Sequence, residues 1–293
     1  MTRQDRAGLL FIGPVLAGTL LVLVVPTIGA LLLSLTDFDV YALADLSYLR
    51  FVGFGNYLEL AGMPLFWRAV LNTLLFTMLG VPAAIGTSLL AALLVQSATV
   101  RWKPLWRVLL FAPVVTTLVA AAAVWRYVLD TRHGLLNWAL SLVGIAPVDW
   151  LGDPRTSIPA VVLFVVWKVF GYNMLVFVAA LSAVSSDLAD AARIDGAGAW
   201  ARFRHVMLPA IGPALLLASV LSVANFLQIF TEPYVMTHGG PAQSTITVLY
   251  FMFQEGFEWW SLGVASAVAV ILFLCILAVT AIQARLGRRA EWL

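Results

Sequence analysis

Residues 187–209 read DLADAARIDGAGAWARFRHVMLP and carry three Asp, three Arg and one His, in a chain of which only 11% is charged. These charges do not make a catalytic set. No HExxH pattern occurs, His133, His205 and His238 are far apart, and Cys275 is the only cysteine. No acid–base pair or nucleophile constellation is legible elsewhere, so the chain reads as a non-enzyme with no metal or cofactor of its own. What the stretch offers is recognition. Ser185, Ser186 and Asp187 are N-cap residues for a short helix through about Arg193, with acid in its first turn. Asp195-Gly196 breaks that helix, Gly196 supplying the backbone freedom. Asp195 is then placed to cap a second short helix through Ala197, Trp200 and Phe203. Ala191, Ala192, Ala197 and Ala199 keep the surface thin enough for close approach. Trp200 and Phe203 are aromatic knobs on a charged loop, which suggests a partner surface. An amphipathic loop lying on lipid headgroups is the other reading of the same spacing.

A second set of polar residues lies inside apolar runs, where such groups are costly and often functional. Lys168 stands in WKVFGYNM beside Trp167, Tyr172 and Asn173. Residues 168 and 172 share a helix face. Flat aromatic surfaces beside hydrogen-bonding groups suit a sugar. The alternatives for Lys168 are snorkelling to the headgroups or pairing with a backbone carbonyl. Ser222, Asn225 and Gln228 recur at steps of three on roughly one face, either to line a pathway or to hydrogen-bond between helices. Gly239-Gly240-Pro241, in TEPYVMTHGGPAQST, is a turn-forming cluster.

The elements that must position these residues are membrane helices. The 293 residues are 62% hydrophobic with a mean hydropathy of +0.97, whereas soluble domains carry about 25% charge. One membrane domain spanning 1–293 is the simplest organisation. Uncharged runs at 7–36, 69–95, 108–125, 210–231 and 259–284, with 156–186 interrupted only by Lys168, give six candidate spans. The first run is 30 residues long, against about 7–15 for a signal-peptide core, and no A-x-A pattern closes it. It reads as a retained span. Eleven Lys or Arg (Arg3, Arg6, Arg101, Lys103, Arg107, Arg193, Arg202, Arg204, Arg285, Arg288, Arg289) flank one set of loops, and five (Arg50, Arg68, Arg126, Arg132, Arg155) the other. By the positive-inside rule both termini and residues 187–209 are cytoplasmic. Arg68 and Arg126, with Trp67, Trp106, Trp125, Trp259 and Trp260, fall near span ends as interfacial anchors. Neither lysine, Lys103 or Lys168, follows a glycine, so there is no GxxxxGK[ST] phosphate loop.

The run Asp190-Ala191-Ala192-x-x-Asp195-Gly196-Ala197, followed by Phe203 and Leu208-Pro209, resembles the EAA loop of ABC-importer permeases. The family pattern is EAA-x-x-DGA, five residues, F, then LP; Asp190 replaces the usual Glu and keeps its charge. FIGPVLAGTLLVLVVPTIGALLLSLTDFD at the start, FVGFGNYLEL (51–60), WRVLLFAPVV (106–115), GLLNW (134–138) and THGGPAQST (237–245) are similar to further blocks of the carbohydrate-uptake, maltose-type branch. The resemblance implies an all-α type I importer permease fold of six transmembrane helices with both termini cytoplasmic. It implies that Asp190, Ala191, Ala192, Asp195, Gly196, Ala197, Trp200, Phe203 and Pro209 form a coupling loop docking on a separate ATPase dimer, which binds the ATP. A second homologous permease chain, an extracytoplasmic substrate-binding protein and a sugar complete the expected partners. Pocket residues are implied near Tyr172 and Asn173. Ser222, Asn225 and Gln228 lie on a helix the family uses for its path, and Gly239, Gly240 and Pro241 lie in a loop facing the binding protein.

Two rivals stay open at this stage. An importer of the same type for glycerol phosphate or another polar solute is compatible with Lys168 facing an anion. A self-sufficient secondary carrier predicts inverted repeats and intramembrane acids; no clear repeat is visible, and no Asp or Glu lies well inside a span.

Overall fold

The computed structural model describes residues 12–97 and 99–290, without the side chains of Leu46, Ser186, Ala189 and Asp190. Arg3 and Arg6 therefore lie outside the described residues. The described chain is helical: α1 Ile12–Leu33, α2 Pro64–Gln96, α3 Lys103–Val115, α4 Leu118–Val128, α5 Leu135–Ser141, α6 Ser157–Ser182, α7 Ser186–Ile194, α8 Ala199–Ala210, α9 Gly212–Leu227, α10 Thr231–Met236, α11 Val248–Phe253 and α12 Leu262–Arg289. Four of these (α1, α2, α6, α12) are long and apolar enough to cross a membrane, and the pairs α3–α4 and α8–α9 bring the number to six if each counts as one bent span.

The six uncharged runs fall on these helices, residues 7–11 lying outside the described ones, with two departures: the fifth run forms only the 16-residue α9, bent by 71° from α8, and the third is broken within itself. The third run is not straight: α3 and α4 meet at 99°. At about 1.5 Å per residue the 13-residue α3 spans only about 20 Å, short of a ~30 Å core. The break follows from Pro113, which cannot donate to the ladder, and from Thr116 and Thr117, whose ψ angles of 148° and 136° are extended. In α1 the single-turn π segment Leu20–Val24 ends two residues before Pro26. A missing N–H at Pro26 lets the ladder slip by one residue there.

The chain divides into two compact units, one holding residues up to Trp67 with Phe251–Leu274, the other Arg68–Tyr250 with Cys275–Leu293. In the first, the end of α1 is clamped by Asn56, whose Nδ2 donates to the carbonyls of Ser34 and Thr36, both at 2.8 Å. Arg50 Nε meets Asp37 Oδ2 at 2.7 Å. Glu255, between α11 and α12, is 4% exposed. Its burial, then the charge of Glu59, push its carboxyl up to about 7.

The second unit is organised around α6, buried along its length through Val161, Phe164, Val165, Met174 and Phe177. A helix apolar all round belongs inside a bundle. Phe76 and Ala84 of α2, Ala122 of α4 and Phe226 of α9 complete one core cluster; Ala92, Ile211 and Ala218 join Met174 and Phe177 in another. Glycines permit the closest crossings: a Cβ on Gly171 would strike the backbone of Leu110 and Phe111, and one on Gly80 the ring of Phe226. Between α4 and α6, Asn137 closes a loop by donating to the carbonyls of Thr131 and Val148 and accepting from Val148 N and Trp150 Nε1.

Candidate functional site

The loop at 187–209 is two short helices around one left-handed glycine. Ser185 caps α7, its hydroxyl accepting from the amide of Asp187 at 3.2 Å. At the other end Gly196 has φ +78°. Its amide donates to the carbonyl of Arg193 at 3.0 Å, and that of Ala197 to Ala192 at 2.9 Å. That pair of bonds is a Schellman closure, which requires a left-handed residue at this position. Asp195 differs from expectation. It is the C-cap of α7, and α8 is instead entered through Gly198, with ψ 169° and no side-chain cap bond. Once Gly196 and Ala197 have closed α7, the next helix cannot start until the backbone has turned out at Gly198. The side chain of Asp190 lies outside the described structure, although its backbone is helical.

The loop presents its apolar residues outward. Ile194 is 87% exposed and Trp200 69%. Trp200 and Phe203 rings lie 5.5 Å apart. Sequence reasoning missed Ile194 and the exposed Leu188, because apolar residues in a short helix read as its buried face. Ala191 is exposed, while Ala192 and Ala197 are half-buried. Pro209, in the last turn of α8, and Pro213, in the first turn of α9, flank Ile211, where α8 bends into α9 by 71°. Trp200, Phe203 and Met207 also line an apolar cavity of about 710 Å³ shared with Leu89, Leu90 and Leu93 of α2, with Arg193 and Arg202 in its wall.

A second cavity of about 400 Å³ lies between α3, α6 and α9. Lys168, Tyr172, Asn173, Ser222 and Asn225 line it together with Val114, Val169, Leu221 and Phe226. Two other residues singled out with them do not. Trp167 turns into the core, its ring 5.3 Å from Trp125 and 6.1 Å from Phe164. Gln228 is the exposed C-cap of α9. The reason is helical drift: at 3.6 residues per turn each step of three rotates by about −60°, so the third member of such a series leaves the face. Lys168 Nζ donates to Pro113 O at 2.6 Å, Val114 O at 3.2 Å, Thr116 Oγ1 at 3.1 Å and also to Thr116 O. Of the alternatives for this lysine, pairing with backbone carbonyls is the one observed.

The 237–245 loop is folded inward. Gly239 is buried with φ +78°, and a Cβ there would lie 2.7 Å from Ile246. Thr245 Oγ1 donates to Gly240 O at 2.9 Å, and Ser244 shares a bond with Ser157. Asn72 Nδ2 donates to Gln243 O and Ile246 O at 2.9 and 2.8 Å. The exposed tip is therefore Ala242-Gln243, with Gly240 and Pro241 half-buried beneath it. Asn72 was not singled out, since one amide in an apolar run gives no hint of partners more than 170 residues away.

Comparison with known proteins gives this geometry a family. The chain is 30% identical over 286 residues to the trehalose/maltose transport system permease protein MalF of Thermococcus litoralis, covering 98% of this chain and 95% of the relative. It is 31% identical to the lactose transport system permease protein LacF of Rhizobium radiobacter (95% and 93% covered), and 32% identical to the sn-glycerol-3-phosphate transport system permease protein UgpA of Yersinia pseudotuberculosis (96% and 94% covered). The fold matches a chain of a bacterial ABC transporter that imports the acidic polysaccharide alginate, with a TM-score of 0.81, 21% identity, and 98% and 96% of the two chains covered. It matches equally, at a TM-score of 0.82, a chain of that transporter in complex with an alginate pentasaccharide-bound periplasmic protein. Residues 52–292 match the family described as binding-protein-dependent transport system inner membrane component. The chain belongs to that family, as a multi-pass inner-membrane permease subunit.

Proposed function

We propose that this permease carries a sugar, an oligo- or disaccharide or a similar molecule, across the inner membrane, driven by a separate ATPase. The observation that carries the reading is the loop built around Gly196, closed by a Schellman motif and tipped with exposed Ile194 and Trp200. A chain without a phosphate loop does not itself bind ATP by that route, and this loop has the thin backbone, aromatic tip and rigid closure that contact with an ATPase partner needs. With both termini and this loop on the cytoplasmic side, an ATPase dimer would grip α7 and α8. Closure of the dimer on ATP would rock α9, continuous with α8 through the bend at Ile211, and so reshape the cavity between α3, α6 and α9.

The solute follows from the relatives named for trehalose/maltose and lactose and from the cavity, which sets Tyr172 beside Asn173, Ser222 and Asn225. Aromatic faces and a few directed hydrogen-bonding groups make a sugar subsite. A second homologous permease chain would supply the rest of the path. A substrate-binding protein would deliver solute from outside, with Ala242-Gln243 and the loop beneath them facing it. The self-sufficient carrier is not favoured by the family. The test is purification of the chain from mild detergent with identification of its companions, followed by uptake of maltose, trehalose and lactose in proteoliposomes. A stoichiometric P-loop ATPase, lost when residues 190–200 are scrambled, together with ATP-dependent uptake, is the expected result. A chain that purifies alone and transports without ATP overturns the reading.

A further inference from the structure

The break between α3 and α4 leaves the carbonyls of Val114 and Thr116 without helix partners, because Thr116 and Thr117 are extended, while Pro113 O still accepts from Thr116 N and Thr116 Oγ1. Orphan carbonyls at a helix end need a donor, and inside a membrane an unsatisfied one is costly. Here they share one. The carbonyls of Pro113, Val114 and Thr116 and the hydroxyl of Thr116 converge on Lys168 Nζ. Lys168 stands 11 residues into α6, roughly 16 Å along the helix and so near the midplane of a ~30 Å core. An ammonium has three N–H donors and no acceptor, and four oxygens within hydrogen-bond reach use all three. No donor is left over for a solute, although the side chain lines the cavity. The donor set is itself informative. Carbonyls of unwound membrane helices are what coordinate monovalent cations in ion-coupled transporters, and rings of carbonyls replace a hydration shell in channels.

We propose that the break in the third span is a monovalent-cation site, that Lys168 fills it permanently with a tethered ammonium, and that Lys168 thereby positions the Val114 wall of the cavity and is not an anion receptor. Three consequences follow. Removing the charge while filling the space, as in Lys168→Met, leaves the oxygens facing one another with no cation. Removing the side chain, as in Lys168→Ala, leaves a hole of the right chemistry for K⁺ or methylammonium. An anionic solute gains nothing from Lys168. That this wall bounds a solute path rests on the importer reading; the geometry of the break does not.

The experiment reads the wall directly. Cys275, the only cysteine and an exposed one, is replaced (Cys275→Ser) and Val114→Cys is introduced as a reporter for a water-soluble maleimide in nanodiscs. Lys168→Ala and Lys168→Met should each change the labelling rate by roughly tenfold, the factor expected for losing one hydrogen bond to a charged group. Methylammonium or K⁺, against N-methylglucamine, should return the Ala variant toward the parental rate and leave the Met variant unchanged. Unchanged labelling in both variants, or an Ala variant insensitive to cations, overturns the proposal. A parental measurement needs no lysine variant: millimolar inorganic phosphate should leave Val114→Cys labelling unaltered, and several-fold protection would show a free ammonium and sink the idea. Absence of ATP-driven uptake by the parental protein, with this labelling pattern intact, tells against the importer reading alone.

Discussion

Asn173 Nδ2 donates to Ser222 Oγ across 3.1 Å, and both side chains are buried. The bond ties α6 to α9 at the wall of the cavity, so these two polar groups satisfy each other. Asn225, one step further along α9, is exposed and lines the same cavity. Of the two roles expected for the polar series on α9, the bond between helices is seen at Ser222, and Asn225 is the member open to the cavity. Ser222→Ala should lower the stability of the protein in nanodiscs by about 0.6–1 kcal/mol and leave the order of competition among maltose, trehalose and lactose unchanged. Asn225→Ala should do the reverse. A change in sugar preference from Ser222→Ala alone would place the solute against the wrong side chain.

Gly196 allows a test of backbone against side chain in the loop. Its Cβ position is open, with nothing within 4 Å, and its φ is +78°. The constraint is therefore conformational, and an ordinary L-residue there costs about 1–2 kcal/mol. Asn tolerates this region several-fold better than most residues, while Pro is locked near −65°. Gly196→Asn should retain most ATP-driven uptake, Gly196→Val should lose most of it, and Gly196→Pro should abolish it, all at parental membrane levels. Equal uptake by the Asn and Pro variants would remove the loop's geometry from the mechanism.

How far the sequence carries depends on whether a signal is local. The spans were legible because an uncharged run of about 20 residues has few other uses. The Schellman turn was legible at Gly196, but Asp195 was not: the residue between two short helices reads equally as the end of one and the start of the next. The broken third span was hidden for a related reason. Pro is tolerated within membrane helices, so Pro113 does not announce a break, and the donor that makes this one affordable, Lys168, comes from another helix. Asn56, Asn72 and Asn137 share this character. Each closes a loop on backbone carbonyls, and only Asn137 and Asn56 lay in blocks that the family resemblance had marked, without any sign of what they hold.

Two close helix crossings, α3 on α6 and α2 on α9, yield a comparison between two glycines. Gly171 faces the backbone of Leu110 and Phe111, which cannot rotate away; Gly80 faces the ring of Phe226, fully buried but attached through rotatable bonds. Overpacking of this kind costs about 1–3 kcal/mol. Gly171→Ala should fall at or above the upper end and Gly80→Ala lower, as measured by thermal unfolding in nanodiscs. Because α3 forms part of the cavity wall through Val114, Gly171→Ala should also change Val114→Cys labelling. An order reversed in stability would mean that the α3–α6 crossing yields more easily than the Phe226 ring.

Glu255 sets a pH dependence whose sign is determined by its position. It lies between α11 and α12, outside the membrane-spanning helices, and its carboxyl is pushed from 4.5 to about 7 by burial and then by Glu59. An unfolded chain loses this proton near 4.5, while the folded protein keeps it until about 7. Between those values the unfolded state binds fewer protons, so stability falls as pH rises through the window. The contribution is fully present below pH 4.5 and gone above about 7, and is on the order of 3 kcal/mol. Thermal unfolding in nanodiscs between pH 5 and 8 should show the parental protein losing stability with rising pH. Glu255→Gln should flatten that slope and be the more stable of the two at pH 8. Glu59→Gln, which removes only the second cause, should flatten it partly. A parental slope of opposite sign, or one that survives in Glu255→Gln, would assign the titration to another group.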